Sequence, residues 1–294
     1  MLQHLNPRPA RPNRVVVVGA AGFGGGASVA RLEGDGTPVL RLSRREIDLL
    51  SSGAALALAA QLRPGDVLVC AAALAPCKTP AMLRDNAALA VALVEAAGAV
   101  ELAQLVNISS DAVYADATQP LTEDSPAAPD TLHGVMHLMR EGLFRAEAKA
   151  PLVTLRPSLL YGAGDPHNGY GPNRFRRLAE QGEPITLFGE GEERRDHVLI
   201  DDLAELAARV IAYRSTGVLN VATGVVTSFR TIAEMTLHLA GKSVPIRTAP
   251  RSGPMPHNGY RAFDIAACRV AFPDFRYTAF EPGLAKAVAK MRKG

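Results

Sequence analysis

Apolar residues follow two rhythms along roughly the first 110 positions, short β-branched runs alternating with Ala/Leu-rich stretches of helical spacing. Residues 14–19 (RVVVVG) are a continuous apolar run, the pattern of a strand buried on both faces. A helix is expected over 25–32 and a second strand over 39–42. A helix over 54–62 should stop at the breaker Arg63-Pro64-Gly65. A third strand over 66–70, a helix over 86–97 and a strand over 102–108 complete the series. This alternation implies βαβ units and a parallel sheet. After about Leu160, Gly, Pro and Asn rise and helical stretches thin out. The expected fold class is α/β, a doubly wound parallel sheet with a smaller, loop-rich C-terminal lobe.

Composition narrows the function classes. The 294 residues are 48% hydrophobic and 21% charged, enough to bury a sizeable core. The balance of 32 basic against 29 acidic residues gives +3, too even for a polyelectrolyte, so no nucleic-acid partner is expected. Cys70, Cys77 and Cys268 are too few for a disulfide framework and have no zinc spacing. The Pro/Arg-rich stretch 1–14 does not read as a signal peptide, and the apolar runs 67–76 and 87–100 fall short of the roughly 18 residues of a membrane span. A soluble, cytoplasmic protein with no membrane partner is expected. One pentapeptide recurs: Pro166-His167-Asn168-Gly169-Tyr170 and Pro256-His257-Asn258-Gly259-Tyr260. Asn-Gly makes similar turns by chance; alternatively, two loops face one ligand.

Gly19-Ala20-Ala21-Gly22-Phe23-Gly24-Gly25 follows the first strand and opens a helix. Such a turn lets the backbone approach a pyrophosphate, and the helix N-terminus adds free N–H groups and a positive dipole end. The spacing is GxxGxxG. A dinucleotide site normally carries an acidic residue at the end of the second strand to hold the ribose 2′-hydroxyl. Here the strand ends Leu42-Ser43-Arg44-Arg45. A hydroxyl and two guanidiniums suit a 2′-phosphate, which favours NADP, with NAD the alternative if the arginines are solvated loop charges. Asp48 can accept from the adenine amino group or cap the next helix.

These residues, with others downstream, resemble the extended short-chain dehydrogenase/reductase family of nucleotide-sugar epimerases, dehydratases and reductases. The resemblance runs from about residue 14 to residue 290. Its marks are GxxGxxG, the small-residue segment Cys70-Ala71-Ala72-Ala73, Asn86, and Asn107-Ile108-Ser109-Ser110-Asp111-Ala112-Val113-Tyr114. Leu155-Arg156-Pro157 with Tyr161-Gly162, and the segment from Arg195-Asp196-His197 to Asp202, complete the set. The resemblance implies a Rossmann-like dinucleotide-binding domain over 14–164, a mainly substrate-binding lobe over 165–294 whose segments at about 195–222 return to the first domain, and a flexible segment 1–13. It implies cofactor contacts at Gly19, Gly22, Phe23, Gly25, Ala71, Ala72 and Asn86. Ser110 takes the place of the hydroxyl that hydrogen-bonds the reacting oxygen. Asp111 corresponds to a general acid of the dehydratase branch, but Ala112 stands where that branch has a glutamate base, which disfavours dehydration.

The family's acid/base is a YxxxK pair on one helix face. Only six Tyr occur here, and the residues four positions later are Thr118, Asp165, Arg174, Gly217, Asp264 and Glu281, so YxxxK is absent. The aligned pair is His133 and His137, four apart on a helix and facing the same way. Imidazole titrates near neutrality, so His133 can move the proton and His137 can hydrogen-bond the nicotinamide ribose. HxxxH is also a metal-ligand spacing, but no third ligand is evident and no metal is expected. Arg195 matches a position that often meets the diphosphate, or pairs with Glu192 or Glu193 instead. Arg251 sits where a second phosphate-binding arginine is common, and Tyr161 is a third substrate-side candidate. The expected function is an NAD(P)-dependent epimerase or reductase acting by hydride transfer on a nucleotide-linked sugar. The alternative is a degenerate cofactor- or sugar-nucleotide-binding sensor. By analogy the protein should form a homodimer through the helices at 86–97 and 133–146.

Overall fold

A computed structural model of the chain describes residues 2–291. Seven strands form the main sheet. They are β1 (Gln3–His4), β2 (Val15–Val18), β3 (Val39–Leu42), β4 (Val67–Cys70), β5 (Gln104–Ile108), β6 (Leu152–Pro157) and β10 (Ser215–Val221). Their spatial order is β1-β10-β6-β5-β4-β2-β3, parallel throughout except for β1. The order reverses between β2 and β4, which places a ligand crevice beyond the carboxyl ends of those two strands.

The continuous apolar runs are explained by the two faces they serve. Val15, Val17, Val67 and Val69 enter one core; Val16, Val18, Leu68 and Cys70 enter the other. The first core is closed by α1 (Phe23–Gly34) and α6 (Ile200–Ala212), through Val29, Leu32, Leu203 and Leu206. The second is closed by α2 (Ala54–Ala59), α3 (Pro80–Gly98) and α4 (Leu132–Glu147), through Leu58, Leu89, Leu93 and Phe144. Each such side chain, fully buried, contributes about 1.5–3 kcal/mol. Helix α3 starts six residues earlier than the apolar periodicity indicates. Thr79 caps it, its hydroxyl accepting from the Met82 N–H, and Pro80 occupies the first turn, where no amide hydrogen is needed.

The smaller lobe is more regular than its composition implies. It holds β7 (Leu159–Tyr161), β8 (Ile185–Phe188), β9 (Arg194–Leu199), β11 (Val226–Ser228), β12 (Ile246–Ala249) and β13 (Tyr260–Arg261), with α5 (Pro172–Gln181), α7 (Phe229–Ala240) and α9 (Phe280–Met291) packed around them. Helix α8 (Ala266–Ala271) lies beside β10. Helix α5 escapes a reading by hydrophobic periodicity because an arginine stands on its buried face. Arg176 is buried and donates to the carbonyls of Gly162 and Ala287.

The segment 1–13, expected to be flexible, is tied down where it is described. Gln3 and His4 pair antiparallel with Thr216 and Ser215, His4 Nδ1 lies 2.8 Å from Ser215 Oγ, and its ring stacks on Tyr213. The segment covers the open edge of β10, which has no hydrophobic signature of its own. Among the described residues, no helix is long and apolar enough to cross a membrane.

Candidate active site

The crevice begins at the turn after β2. Gly19 has φ +93°, and a Cβ there would lie 2.5 Å from the Ala72 backbone nitrogen. A Cβ at Gly25 would lie 2.2 Å from the Gly19 carbonyl oxygen. Gly22 is the N-cap of α1 and adds no side chain, and the four-residue turn from Gly19 to Gly22 leads from the strand end to Phe23 at the head of the helix. This is a cradle that side chains would fill, with helix N–H groups beside it, and it fits a dinucleotide pyrophosphate. Ala71 continues the wall; its N–H donates to the Val18 carbonyl.

Several predicted contacts have other partners. Asn86 lies in the second turn of α3 and is buried. Its side chain accepts from the Leu74 N–H at 2.9 Å and donates to the carbonyls of Leu74 and Met82. It therefore secures the segment after β4 rather than facing a ligand. Ser43 is engaged by Glu46, to which it donates from both N–H and hydroxyl. Arg44 is largely exposed and only loosely paired, 3.3 Å from Asp48, while Asp48 also accepts from the Leu50 N–H and thus makes a turn.

Helix α4 carries the proton-transfer candidates. Thr131 caps it by accepting from the Gly134 N–H. Gly134 permits close packing: a Cβ there would lie 2.1 Å from the Ala112 carbonyl oxygen. That approach brings His133 up to the Ser110–Asp111 turn. The rings of His133 and His137 are 4.7 Å apart, edge to face. His133 is half-buried, and its Nδ1 receives a weak 3.4 Å contact from the Cys77 N–H. Burial lowers its pKa below the usual imidazole value, opposed by Asp111 and aided by His167. His137 is held further down by burial, then by His133 and Arg140. Its Nδ1 is buried and has no hydrogen-bond partner.

Ser110 and Asp111 are less free than their motif suggests. Ser110 Oγ accepts from the Ala112 N–H at 3.1 Å and so caps the 3₁₀ turn 111–113; its hydroxyl lies 3.4 Å from Asp111 Oδ1. That leaves Ser110 at the strand end with its hydroxyl hydrogen only weakly used. Asp111 is bound to Arg261, whose Nε donates to Oδ2 at 2.8 Å and whose Nη2 donates to the Asp111 carbonyl. The paired carboxylate is a structural anchor for the 3₁₀ turn, not a free general acid. Arg261 comes from β13, about 150 positions away in the chain, and no local pattern announces it.

Arg140 lies on the same face of α4. It is 2% exposed and, among the described residues, its hydrogen-bond partners are an amide and two backbone carbonyls rather than a carboxylate. Its donors go to Asn107 Oδ1 at 2.8 Å, to the Cys70 carbonyl at 2.6 Å and to the Ala72 carbonyl. A fixed cation thus stands behind His137, caps the strand ends, and helps keep that imidazole neutral. The one available signal is its place three residues after His137. Next to it, Glu141 accepts from Ser109 Oγ and twice from Arg156, at 2.9 and 2.6 Å. Arg156 also donates to the Tyr114 hydroxyl, which donates to Asn220. This network locks α4 to β5, β6 and β10 beneath the site.

On the lobe side, Tyr161 does not line the site. It is fully buried beside Phe280, and burial raises its phenol. Arg195 and Arg251 do meet, at a cavity of about 320 Å³ that Glu193 shares. Of the two carboxylates considered for Arg195, Glu193 is the partner, at 3.1 Å. The repeated pentapeptides fall on different parts of this region. His167 acts electrostatically on His133, whereas His257 pairs with Asp116 and senses Arg195.

The sequence profile of the NAD dependent epimerase/dehydratase family matches residues 15–222. The chain belongs to this family. A dTDP-4-dehydrorhamnose reductase of Streptomyces griseus is 28% identical over 255 residues, covering 83% of this chain and 80% of the relative. A UDP-glucose 4-epimerase of Mycolicibacterium smegmatis is 28% identical over 253 residues, covering 74% and 79%. Among solved structures, MoeE5 in complex with UDP-glucuronic acid and NAD superposes with a TM-score of 0.81 at 27% identity, covering 95% of this chain and 99% of that one.

Proposed function

We propose that this family member is an NAD(P)-dependent epimerase or reductase acting on a nucleotide-linked sugar, with His133 moving the proton. The observation that carries the reading is the imidazole pair on α4, edge to face at 4.7 Å, with His133 beside the Cys77 N–H and within electrostatic reach of Asp111, and with the buried His137 Nδ1 unpaired. Gly19, Gly22 and Gly25 would admit the pyrophosphate, and His137 would hold the ribose. When bound, the nicotinamide supplies or takes the hydride. His133 is neutral near pH 7, so it is poised to accept a proton from a sugar hydroxyl. In the reverse direction the protonated ring returns it to the alkoxide oxygen. The Ser110 hydroxyl steadies the same oxygen. Arg195 and Arg251 would receive the diphosphate. The test is turnover: a panel of sugar nucleotides offered with either cofactor, following nicotinamide absorbance and product stereochemistry. No turnover of any of them, with normal cofactor binding, would favour the sensor reading.

The exposed, weakly paired Arg44 supports NADP over NAD. Arg44→Ala is expected to weaken NADP about tenfold or more and to leave NAD within about twofold, since a charge-assisted contact contributes roughly 1.5–3 kcal/mol. Fluorescence titration of the reduced cofactors reads this, and equal losses for both would remove the 2′-phosphate contact.

A homodimer through the outer faces of α3 and α4 is proposed by analogy, and Val91 and Val135 are exposed large hydrophobics on those helices. Sedimentation should give twice the chain mass, and a monomer at micromolar concentration would count against it.

A further inference from the structure

Arg195 and Arg251 approach the lobe cavity from β9 and from the Pro/Gly-rich loop that follows β12. Both are held by one buried carboxylate. Glu193 Oε1 accepts from Arg195 Nη1 at 3.1 Å, and Oε2 accepts from Arg251 Nη1 at 3.3 Å. Glu193 is 4% exposed yet lines the cavity, whose other walls include Tyr170, Phe188 and Phe229. The contacts are long and single. They contrast with the two-point grip of Glu141 on Arg156 at 2.6 and 2.9 Å. Each arginine therefore keeps most of its donors. The Arg251 Nε is buried without a partner, and its Nη2 has only a 3.5 Å contact to the Phe188 carbonyl.

We propose that Glu193 sets the charge selectivity of this pocket: it occupies the arginine pair in the empty protein and is exchanged for the diphosphate of an incoming nucleoside diphosphate ligand. The proposal deepens the functional reading above and rests on it for the identity of the ligand. With Glu193 ionised the trio carries +1, and a diphosphate diester brings −2. Two guanidiniums left facing each other in a half-enclosed, aromatic-walled pocket would repel. The carboxylate keeps them together, and with them the loop that carries Arg251. A ligand with a single negative charge gains too little to displace it. A diphosphate, with more charge and more acceptor oxygens, can bridge both arginines at once. Selectivity for the doubly charged headgroup comes from this competition.

The probe is inorganic pyrophosphate, with UDP and uridine alongside, titrated calorimetrically into the full-length protein. Glu193→Gln keeps the shape and removes the charge. It is expected to bind pyrophosphate and UDP at least tenfold more tightly than the wild type, with a steeper loss of affinity on adding salt. Uridine affinity should stay within twofold. Glu193→Asp retains the charge and is expected not to tighten. Thermal melting and cofactor titration establish that each variant is folded. Pyrophosphate affinity unchanged or weakened in folded Glu193→Gln overturns the proposal, as does equal tightening in Glu193→Asp. Sugar-nucleotide turnover tests the parent reading separately. Tighter pyrophosphate binding without turnover leaves the exchange standing, and turnover without tightening removes the exchange alone.

Discussion

His133→Ala lowers the rate of hydride transfer by about 10²–10⁴-fold, the usual contribution of a positioned acid/base, while cofactor affinity stays near that of the wild type. Stopped-flow nicotinamide absorbance reads the first quantity and cofactor fluorescence the second. The half-buried side chain stands beside Cys77 and near Asp111, and its removal leaves the Thr131 cap and the close Gly134 packing in place. The pH profile carries a further signature. Burial holds the His133 pKa below its ordinary 6.5. Oxidation of a hydroxyl needs the neutral ring, so it stays at its plateau at pH 7 and falls only as pH drops through that lowered value. Reduction needs the protonated ring and should gain on the acid side. His137→Ala, by contrast, weakens the cofactor and spares the acid limb. A His133→Ala protein with undiminished turnover would transfer the proton role elsewhere in the crevice.

Glu141→Ala destabilises the fold by about 3–5 kcal/mol, because it strands a buried cation. The pair is 2% and 6% exposed at the side chains, and Arg156 keeps only the Tyr114 hydroxyl and a long contact to the Glu123 carbonyl once Glu141 is gone. Ser109 loses its acceptor as well. Urea unfolding followed by circular dichroism measures the loss, and a drop in melting temperature of roughly 10 °C should accompany it. Glu33→Ala, which breaks the largely exposed pair with Arg41 on the far side of the sheet, is the control and should leave the melt unchanged. A melt for Glu141→Ala that matches this control would show that the network is not what holds α4 to the sheet.

The sheet was legible because its strands are buried on both faces. Val15–Val18 and Val67–Cys70 send alternate side chains into two cores, so every position is apolar and the run stands out. The glycine turn was legible for a related reason, since no other residue tolerates the approach of Gly19 and Gly25 to the backbone. The lobe was harder. Helix α5 buries Arg176 and β1 pairs at an edge through a glutamine and a histidine, so hydrophobic periodicity marks neither.

The site divides along the same line. Sequence alone determined the βαβ order, the place of the glycine turn and the absence of YxxxK, and the family resemblance drew His133 and His137 into the proposal. These are local matters of residue type, spacing and helical phase. Only the tertiary structure decided the partners. It gave Asp111 to Arg261 and turned Asn86 inward. It buried Tyr161, set Arg140 behind the imidazoles and placed Glu193 between Arg195 and Arg251. A charged side chain reaches several ångströms and takes its partner from whatever element the fold brings near. Arg261 meets Asp111 across 150 positions of chain, a distance over which spacing carries no information.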